Sequence, residues 1–335
     1  MRNVMKKFIQ ILAFSAIAVC GWANQVYADT VPAPAQQAVP QTHAHNDYEH
    51  DYPLFDALHN GFVSVESDIW LYGSDLRVAH DPVNEPTELP TLEQLYLSPL
   101  QNLAKQANNG GIYGDGTPVT LLVDIKSEAI PTYQRLNDVL GDYATQSPKL
   151  FTTYTKNASG GYDMKQGAVN VIISGNRPRE YMQSQDIRYA SYDGRKSDIS
   201  TGANAKFVSL ISDNWSNVFT GDLAWDGTGS IPDDTKVALE NIVAQVHDED
   251  KILRFWNLPQ DAPSVWGPLY DAGVDLINTN DIDGLSQYIE HRKSEAVPEP
   301  SPTVALLGVL GVSAVLTWRK HFQSRTASTA NSKAD

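Results

Sequence analysis

Two acidic residues stand in the middle of a segment that otherwise has the composition of a buried strand. Glu66 and Asp68 interrupt Phe62–Tyr72, whose apolar residues predict a β-strand. Residues i and i+2 of a strand point to the same face, so both carboxylates can reach one ion. Because an ionised carboxylate away from water is costly unless cations or hydrogen-bond donors compensate it, this pair suggests a divalent cation.

Histidines flank the acidic pair on both sides. Five of the eight histidines lie between Thr42 and Pro82, and His45 and His80 each stand where a predicted strand ends. Two imidazoles beside a hard cation supply what phosphodiester cleavage needs: a base for the attacking hydroxyl, an acid for the leaving oxygen and a Lewis acid for the phosphoryl charge. Either histidine alone could be a capping or packing residue. His43 shares a strand face with His45 and is an alternative at the same position.

The order of these motifs resembles a known superfamily. His45–Asp47, Glu66–Asp68 and His80-Asp81 are similar to the signature of the superfamily that joins glycerophosphodiester phosphodiesterases with phosphatidylinositol-specific phospholipase C. Within it, the chain resembles the altered inheritance of mitochondria type and the related sphingomyelinase D branch. The family pattern places an Asn-Asp dipeptide after the catalytic histidine, which implies His45 rather than His43.

A second block extends the resemblance. Leu121–Lys126 is similar to the later strand that gives the family its third metal carboxylate, here Asp124, with a lysine two residues further on. Agreement is weaker at Arg254–Trp256 and Ile277–Asn280. The resemblance implies a phosphodiesterase in which Asp124 joins the acidic pair in holding a metal. It also implies that a neighbouring substrate hydroxyl attacks first and forms a cyclic phosphate, before or instead of water.

The predicted cluster of Glu66, Asp68 and Asp124 has one nearby cation in the sequence, Lys126. Three acids with one cation remain undercompensated, which favours a bound metal over a structural set of ion pairs. Ligands that are all oxygens imply a hard cation, Mg²⁺ or Ca²⁺, rather than zinc.

Further residues are candidates for contacts with the substrate. Asn46 follows the predicted catalytic histidine, and Lys126 shares a strand face with Asp124, where it could hold a phosphate oxygen or be a solvated lysine. Arg254 and Trp256 alternate on one face of a late strand, which suits a phosphate contact and a head-group wall. Arg254 departs from the sphingomyelinase D pattern. Weaker candidates are Asn278, Asn280 and the aromatic loop residues Trp215, Phe219 and Trp225.

The elements that must position these residues alternate along the chain. Short apolar strands followed by helices are typical of a parallel sheet covered by helices, and they predict a single-domain α/β (β/α)8 TIM barrel over residues 41–293. In that fold, functional residues lie at the carboxyl ends of strands, where His45, Arg177, Trp256 and Asn280 fall. The predicted strands are Val39–Ala44, Phe62–Tyr72, Leu76–Ala79, Val119–Ile125, Leu150–Thr155, Val169–Ser174, Arg188–Asp193, Phe207–Ile211, Ile252–Trp256 and Val274–Thr279.

The predicted helices carry apolar residues at helical spacing. One of them, Asp233–His247, has a predicted apolar stripe of Val237, Leu239, Ile242, Val243 and Val246. The others are Tyr52–Asn60, Thr91–Gln106 with a break or kink at Pro99, Thr132–Leu140, Pro263–Ala272 capped by Gly273, and Asp283–Arg292.

Both ends of the chain predict processing signals. Residues 1–28 have a basic start, an apolar run and a Val26–Ala28 cleavage pattern, which predicts a secretory signal peptide; residues 29–40 are a flexible lead-in. A lipoprotein signal at Cys20 is the alternative, and bulky Val19 argues against it. Residues 294–335 resemble a PEP-CTERM sorting tail, with an apolar helix over 303–318 that falls short of the roughly 20 residues needed to span a bilayer. An ordinary membrane anchor is the alternative for this tail.

The charge of the chain limits its partners. The formal net charge is −15, and removing residues 1–28 would take away three cations and no acid, which lowers −15 to −18. So acidic a chain argues against nucleic acid as a partner. We expect instead a small phosphodiester or phospholipid substrate, tail-processing sorting machinery, and an exported protein of the cell envelope or medium that is transiently anchored by its C-terminal helix. Cys20, the sole cysteine, lies in the predicted signal peptide, so the mature chain would have no disulfide.

Two other classes of function remain open at this point. A non-catalytic envelope or matrix protein could retain the barrel and the metal as stabilising features, although such a protein needs neither His45 nor His80. A glycoside hydrolase on the same barrel would use two carboxylates about 5–10 Å apart and no metal.

Overall fold

The computed structural model describes residues 31–107 and 111–296. Its strands, in chain order, are β1 (Thr42–Ala44), β2 (Ser64–Tyr72), β3 (Asp75–Val78), β4 (Val119–Ile125), β5 (Thr153–Lys156), β6 (Tyr162–Lys165), β7 (Val169–Gly175), β8 (Ile187–Arg188), β9 (Ala190–Gly194), β10 (Val208–Asn214), β11 (Ile252–Trp256) and β12 (Leu276–Thr279). Its α-helices are α1 (Phe55–His59), α2 (Ser98–Gln106), α3 (Ala129–Gln146), α4 (Arg179–Ser184), α5 (Trp215–Val218), α6 (Asp233–His247), α7 (Pro263–Ala272) and α8 (Ile282–Ala296).

Eight of these strands close into a parallel barrel. The order around the barrel is β1, β2, β4, β7, β9, β10, β11 and β12, and β1 pairs with both β2 and β12. Strand β3 lies outside the ring, where it pairs antiparallel to β2. The (β/α)8 TIM barrel predicted from the alternation of strands and helices is therefore confirmed.

Only the start of the segment predicted as strand Leu150–Thr155 contacts the barrel, where Phe151 forms an isolated parallel bridge with Val169 of β7. Strand β5 begins later, at Thr153, and forms a separate antiparallel sheet with β6 and β8. The prediction placed this strand in the barrel because local apolar composition indicates an extended segment without indicating its partner. The partner is fixed by packing: buried Tyr154 of β5 lies against Arg188 of β8, with the guanidinium carbon 5.0 Å from the ring centroid.

Helix α6 has the predicted bounds but a different buried face. Val237, predicted as part of the apolar stripe, is 55% exposed. The buried residues of α6 are Thr235, Leu239, Ile242, Val243 and Val246. Val237 lies two positions after Thr235, about 200° around the helix, so the stripe begins at a threonine rather than at this valine.

A proline and a glycine mark a distortion in one predicted helix and the end of another. Pro99 stands in the first turn of α2 and is preceded by a π-helical turn at Glu93–Leu97, which accounts for the predicted break in Thr91–Gln106. Gly273 caps α7 with φ of 86°, as predicted from its position after the last apolar residue.

The barrel interior has an apolar floor. Four buried side chains from β4, β7, β10 and β12 pack together there: Leu122, Ile172, Leu210 and Leu276. Because strand side chains alternate, the next inward residues toward the carboxyl ends are polar, among them Asp124, Ser174, Ser212 and Asn278. The floor closes the barrel below these polar side chains, so they face only one open end.

The segments predicted as processing signals lie outside the described residues. This holds for the signal peptide over residues 1–28 and for the apolar helix over residues 303–318. Among the helices within residues 31–107 and 111–296, none has the length and apolarity to cross a bilayer. In the predicted lead-in, Ala35 donates a backbone hydrogen bond to Leu58 and Val39 donates one to Gly61. Contacts divide the chain into two units, residues 1–288 and 289–335, and all sites described below lie in the first.

Asp47 holds the loop that follows β1. Its buried carboxylate accepts hydrogen bonds from the backbone N–H of Leu54 at 2.6 Å and from the Tyr96 hydroxyl at 2.8 Å. Leu54 has φ of 67°, which is unfavourable for leucine, and the bond to Asp47 stabilises this conformation. Burial raises the pKa of Asp47 to about 7, against the two hydrogen bonds that lower it. The loop that carries His45 therefore depends on a carboxyl group that favours its neutral form.

We expect Asp47→Asn to make the free energy of unfolding less dependent on pH. The carboxyl pKa is about 7 in the folded chain against an ordinary value of 3.8, so the wild type loses stability as pH rises through this range. Asparagine has no proton to lose, so the stability of the variant relative to wild type should rise over that range by up to about 4 kcal/mol. Urea denaturation at several pH values between about 4 and about 8 measures this difference.

The matched control is Asp222→Asn, which changes an exposed aspartate. The stability of Asp222→Asn relative to wild type should not change with pH. A stability difference between wild type and Asp47→Asn that is the same at every pH would contradict the role given to Asp47.

Candidate active site

Three carboxylates meet at the carboxyl ends of neighbouring strands. Asp68 of β2 pairs in register with Asp124 of β4, and Glu66 lies two residues before Asp68 on the same face. One oxygen from each of the three side chains lies within 4.8 Å of the others. The structure therefore brings together the three residues predicted as metal ligands, and their carboxylates could hold a metal ion.

Two cations lie against this cluster, one more than the sequence suggested. The Nζ atom of Lys126 lies 3.2 Å from Asp68 Oδ2 and 3.3 Å from Asp124 Oδ1. Arg254 Nη2 lies 2.6 Å from Glu66 Oε2. The count of one nearby cation made from the sequence was wrong, because Arg254 is 188 residues from Glu66 in sequence and reaches it only through closure of the barrel.

The pKa values of the three acids differ because their neighbours differ. Burial opposes the charge of Glu66, but Arg254 and the hydrogen bond from His43 outweigh burial and lower the pKa of Glu66. Burial raises the pKa of Asp68 to about 7, since Lys126 offsets it only in part and the neighbouring acids add to it. Burial also raises the pKa of Asp124. Asp68 and Asp124 are thus short of positive charge, whereas Glu66 is not.

The carboxylate cluster fits a divalent cation. Asp68 Oδ1 and Asp124 Oδ1 are buried and accept no hydrogen bond from the part of the chain that the structure describes, although Asp124 Oδ1 lies within ion-pair distance of Lys126. Backbone also approaches the cluster closely, because a Cβ atom at Gly175 would lie 2.0 Å from Asp124 Oδ1. Oxygen atoms left without donors, in an all-oxygen set, are the ligands that Mg²⁺ and Ca²⁺ take in proteins.

The two histidines at the end of β1, His43 and His45, differ in burial and in their contacts. His43 is buried, and its ring nitrogens lie 2.7 Å from Ser64 Oγ and 3.2 Å from Glu66 Oε2. Burial and the charge of Arg254 lower the pKa of His43 to about 4, so its ring is neutral and supports Glu66. His45 is only partly buried. The choice of His45 over His43 as a catalytic residue stays a prediction, and His45 is the histidine of the two with access to a substrate.

A chain of hydrogen bonds orients the ring of His45. Its Nδ1 lies 2.9 Å from Asn280 Oδ1, and the backbone N–H of Asn280 donates to Asp261 Oδ2 at 2.7 Å. Asp261 Oδ1 also accepts hydrogen bonds from Thr279 Oγ1 and Trp266 Nε1. Asn280, a weak candidate from sequence, thus contacts His45 directly, and it is Asp261 that holds Asn280 in place.

His80 follows β3 and lies on the surface. Its side chain is 52% exposed, and its Nδ1 lies 3.4 Å from Asp81 Oδ1. The hydrogen bonds and ion pairs of His80 within the described residues do not include the carboxylate cluster. Its predicted role as the second catalytic histidine stays a prediction.

The other predicted substrate contacts lie at the same end of the barrel. Asn46 follows β1 with φ of 48° and is partly buried. Arg254 is 3% exposed and donates to Glu66 and, through Nε at 3.0 Å, to Asn278. Trp256 ends β11, pairs in register with Asn214 and is partly buried. The roles of Asn46, Lys126, Arg254 and Trp256 in binding a substrate stay predictions.

Sequence reasoning missed two groups of polar residues. The Tyr48 hydroxyl donates to Asp68 Oδ2 at 2.9 Å. Buried Asp193 accepts hydrogen bonds from Ser174 and Ser212 and forms an ion pair with Arg195. The second group had a signal in the sequence, since Asp193 and Arg195 stand at the end of the predicted strand Arg188–Asp193 with opposite charges two residues apart.

The family model and the relatives found by sequence agree on one family. The AIM6-like phosphodiesterase domain model matches residues 34–193. Altered inheritance of mitochondria protein 6 of Eremothecium gossypii is 30% identical over 289 residues, which cover 74% of this chain and 69% of that protein. The homologue of Arthroderma benhamiae is 25% identical over 268 residues, which cover 73% of this chain and 82% of that protein. A crystal structure of a glycerophosphodiester phosphodiesterase from Parabacteroides distasonis has a TM-score of 0.43 and 15% identity, covering 77% of this chain and 99% of that one.

The ion pair between Glu66 and Arg254 predicts the outcome of removing one partner. Arg254→Met leaves Glu66 buried without its main cation, and we expect the free energy of unfolding to fall by about 3–5 kcal/mol. The double variant Glu66→Gln/Arg254→Met removes both charges and should be more stable than the single variant. Chemical denaturation in the presence of EDTA measures the free energy of unfolding of the single and the double variant. A double variant no more stable than Arg254→Met would show that the pair is not the reason for the loss.

Proposed function

This chain belongs to the altered inheritance of mitochondria protein 6 family of phosphodiesterases, and from that premise we propose that it is a divalent-cation-dependent phosphoric diester hydrolase. The observation that carries the proposal is the convergence of Glu66, Asp68 and Asp124, in which Asp68 Oδ1 and Asp124 Oδ1 are buried and accept no hydrogen bond within the described residues. The proposed substrate class is a glycerophosphodiester or a phospholipid head-group diester, and the proposed cation is Mg²⁺ or Ca²⁺.

The inward-facing polar side chains above the apolar floor form a polar layer in the barrel, and the charges of this layer support the proposal. Leaving the histidines out of the count, and with all four acids ionised, the described residues Glu66, Asp68, Asp124 and Asp193 carry four negative charges, and Lys126, Arg195 and Arg254 carry three positive charges. One negative charge is left over, and one divalent cation would change it to one positive charge. A phosphodiester carries a single negative charge, so the layer with its cation matches a diester.

In the proposed mechanism, the chain's own residues move protons and hold the substrate. One of His45 and His80 takes the proton of the attacking hydroxyl, and the other gives a proton to the leaving alkoxide. Asn280 fixes the His45 ring through Nδ1, which leaves Nε2 to face the substrate. A divalent cation, when held by the three carboxylates, would stabilise negative charge on a non-bridging phosphoryl oxygen.

Lys126 has two roles in this mechanism. Its ammonium group contacts Asp68 and Asp124 and is 26% exposed as a side chain, so it remains accessible from the open end of the barrel. From that position it would contact a phosphate oxygen while offsetting the repulsion between the two carboxylates. The apolar floor under the cluster excludes water from below, which strengthens these charge interactions.

Hydrolysis of bis(p-nitrophenyl) phosphate tests the proposed function. We expect turnover with Mg²⁺ or Ca²⁺, loss of turnover in EDTA, and a decrease of about 100-fold or more in kcat for both His45→Ala and His80→Ala. The matched control is His59→Ala, since His59 is exposed and its Nδ1 bonds to the backbone carbonyl of Ala33, and this change should leave kcat unchanged.

Two results would contradict the proposal. Metal-dependent thermal stability without turnover on a broad panel of diesters would support the non-catalytic envelope protein instead. Activity on glycosides that is insensitive to EDTA would support the glycoside hydrolase.

We also propose that the protein is exported to the cell envelope or medium and is processed at its tail. The support comes from the sequence of residues 1–28 and 294–335. N-terminal sequencing of the protein recovered outside the cytoplasm should begin at Asp29. Recovery of the chain only inside the cell, with residues 1–28 intact, would overturn export.

A further inference from the structure

Arg195 stands at the open end of the barrel with part of its guanidinium held in place. It directly follows β9, whose last inward residue is Asp193. Arg195 Nη1 donates to Asp193 Oδ2 at 2.8 Å, to the carbonyl oxygen of Gly194 at 2.9 Å and to Ser212 Oγ at 3.2 Å. Since Asp193 and Ser212 point into the barrel, these bonds place the guanidinium over its interior.

The other edge of this guanidinium has no partner within the described residues. All three hydrogen bonds come from Nη1, and the Arg195 side chain is 27% exposed. Nε and Nη2 lie side by side on the remaining edge, the arrangement that binds two oxygens of one carboxylate or phosphate. The other two cations of the layer differ, because Arg254 is buried with Nε and Nη2 both engaged and Lys126 is shared by two acids.

A short route of contacts joins Arg195 to the carboxylate cluster. Asp124 of β4 pairs in register with Ser174 of β7, on strands about 4.8 Å apart. The Ser174 hydroxyl donates to Asp193 Oδ2 at 2.7 Å, and Asp193 forms the ion pair with Arg195. Arg195 therefore faces the same open end as Asp124 and Lys126, from the adjoining part of the barrel wall.

We propose that Arg195 is a substrate-binding residue whose Nε–Nη2 edge holds the phosphate group of the diester, with Asp193 as the residue that positions it. This inference rests on the proposed function and adds a phosphate contact that the sequence motifs do not contain. Two non-bridging oxygens of a phosphodiester match the two donors of this edge. The alternative is that Arg195 only forms a structural ion pair with Asp193. That ion pair uses Nη1 alone and would leave the Nε–Nη2 edge without a role.

Binding of inorganic phosphate tests the inference without requiring turnover. Phosphate is titrated into the full chain by calorimetry, with Mg²⁺ present, for wild type, Arg195→Ala and Arg195→Lys. We expect the Kd of phosphate to rise by about 10- to 100-fold in both variants, because lysine keeps a positive charge but loses the paired donors. The control is Lys236→Ala, which removes a cation that is 54% exposed on α6 and should leave the Kd unchanged.

Arg195→Lys keeps a cation beside Asp193, so it tests the inference even if Arg195→Ala fails to fold. A Kd for phosphate in folded Arg195→Lys that is within twofold of the wild-type value would overturn the inference, and so would the absence of phosphate binding by wild type. For the hydrolysis of bis(p-nitrophenyl) phosphate, we expect KM to rise in Arg195→Ala and ethylguanidinium to restore it in part.

Failure of the inference and failure of the proposed function give different results. Wild-type turnover with an unchanged KM and phosphate Kd in both Arg195 variants overturns the role of Arg195 and leaves the proposed function standing. Phosphate binding that depends on Arg195, in a protein that hydrolyses no diester, overturns the function and supports the binding role of Arg195.

Discussion

The repulsion among Glu66, Asp68 and Asp124 is the constraint on which the other features of the barrel interior depend. Their oxygens lie within 4.8 Å of one another in a largely buried layer, where charge is far more costly than in water. Arg254 compensates Glu66, and Lys126 divides its charge between the two aspartates. Burial raises the pKa of Asp68 to about 7, and Lys126 offsets this rise only in part. A divalent cation held by the three carboxylates would supply further positive charge.

The barrel produces this cluster through strand register. Asp68 and Asp124 are opposite one another because β2 and β4 are parallel neighbours, and Arg254 reaches Glu66 because β11 lies on the wall of the same closed ring. The apolar floor below the cluster prevents the charges from being solvated on that side. An open sheet with the same strands would leave Glu66 without Arg254 and would expose all three carboxylates to water.

Much of this arrangement could be predicted from the sequence, since it depends on local patterns. Alternation in β2 places Glu66 and Asp68 on one face, and the apolar strands between helices predict the barrel. The three metal-binding candidates come together as predicted. These features need only the period of a strand and the order of strands along the chain.

Other features depend on contacts between distant residues, and local patterns do not contain them. The partner of Glu66 is 188 residues away, and β5 pairs with β6 and β8 although its composition suits a barrel strand. The bonds that orient Arg195 come from two strands, β9 and β10, and Ser212 of β10 is 17 residues away in sequence. Val237 is apolar yet exposed, because the direction of a helix face is set by what packs against it.

Calorimetric titration of Mg²⁺ and Ca²⁺ into the metal-free chain tests the central claim most directly. The account predicts one bound ion per chain in wild type and no detectable binding in Asp68→Asn/Asp124→Asn, with Asp222→Asn unchanged as a control for charge. Binding by the double variant with wild-type affinity and stoichiometry would show that the ion is held elsewhere, and would contradict the assignment of these carboxylates as its ligands.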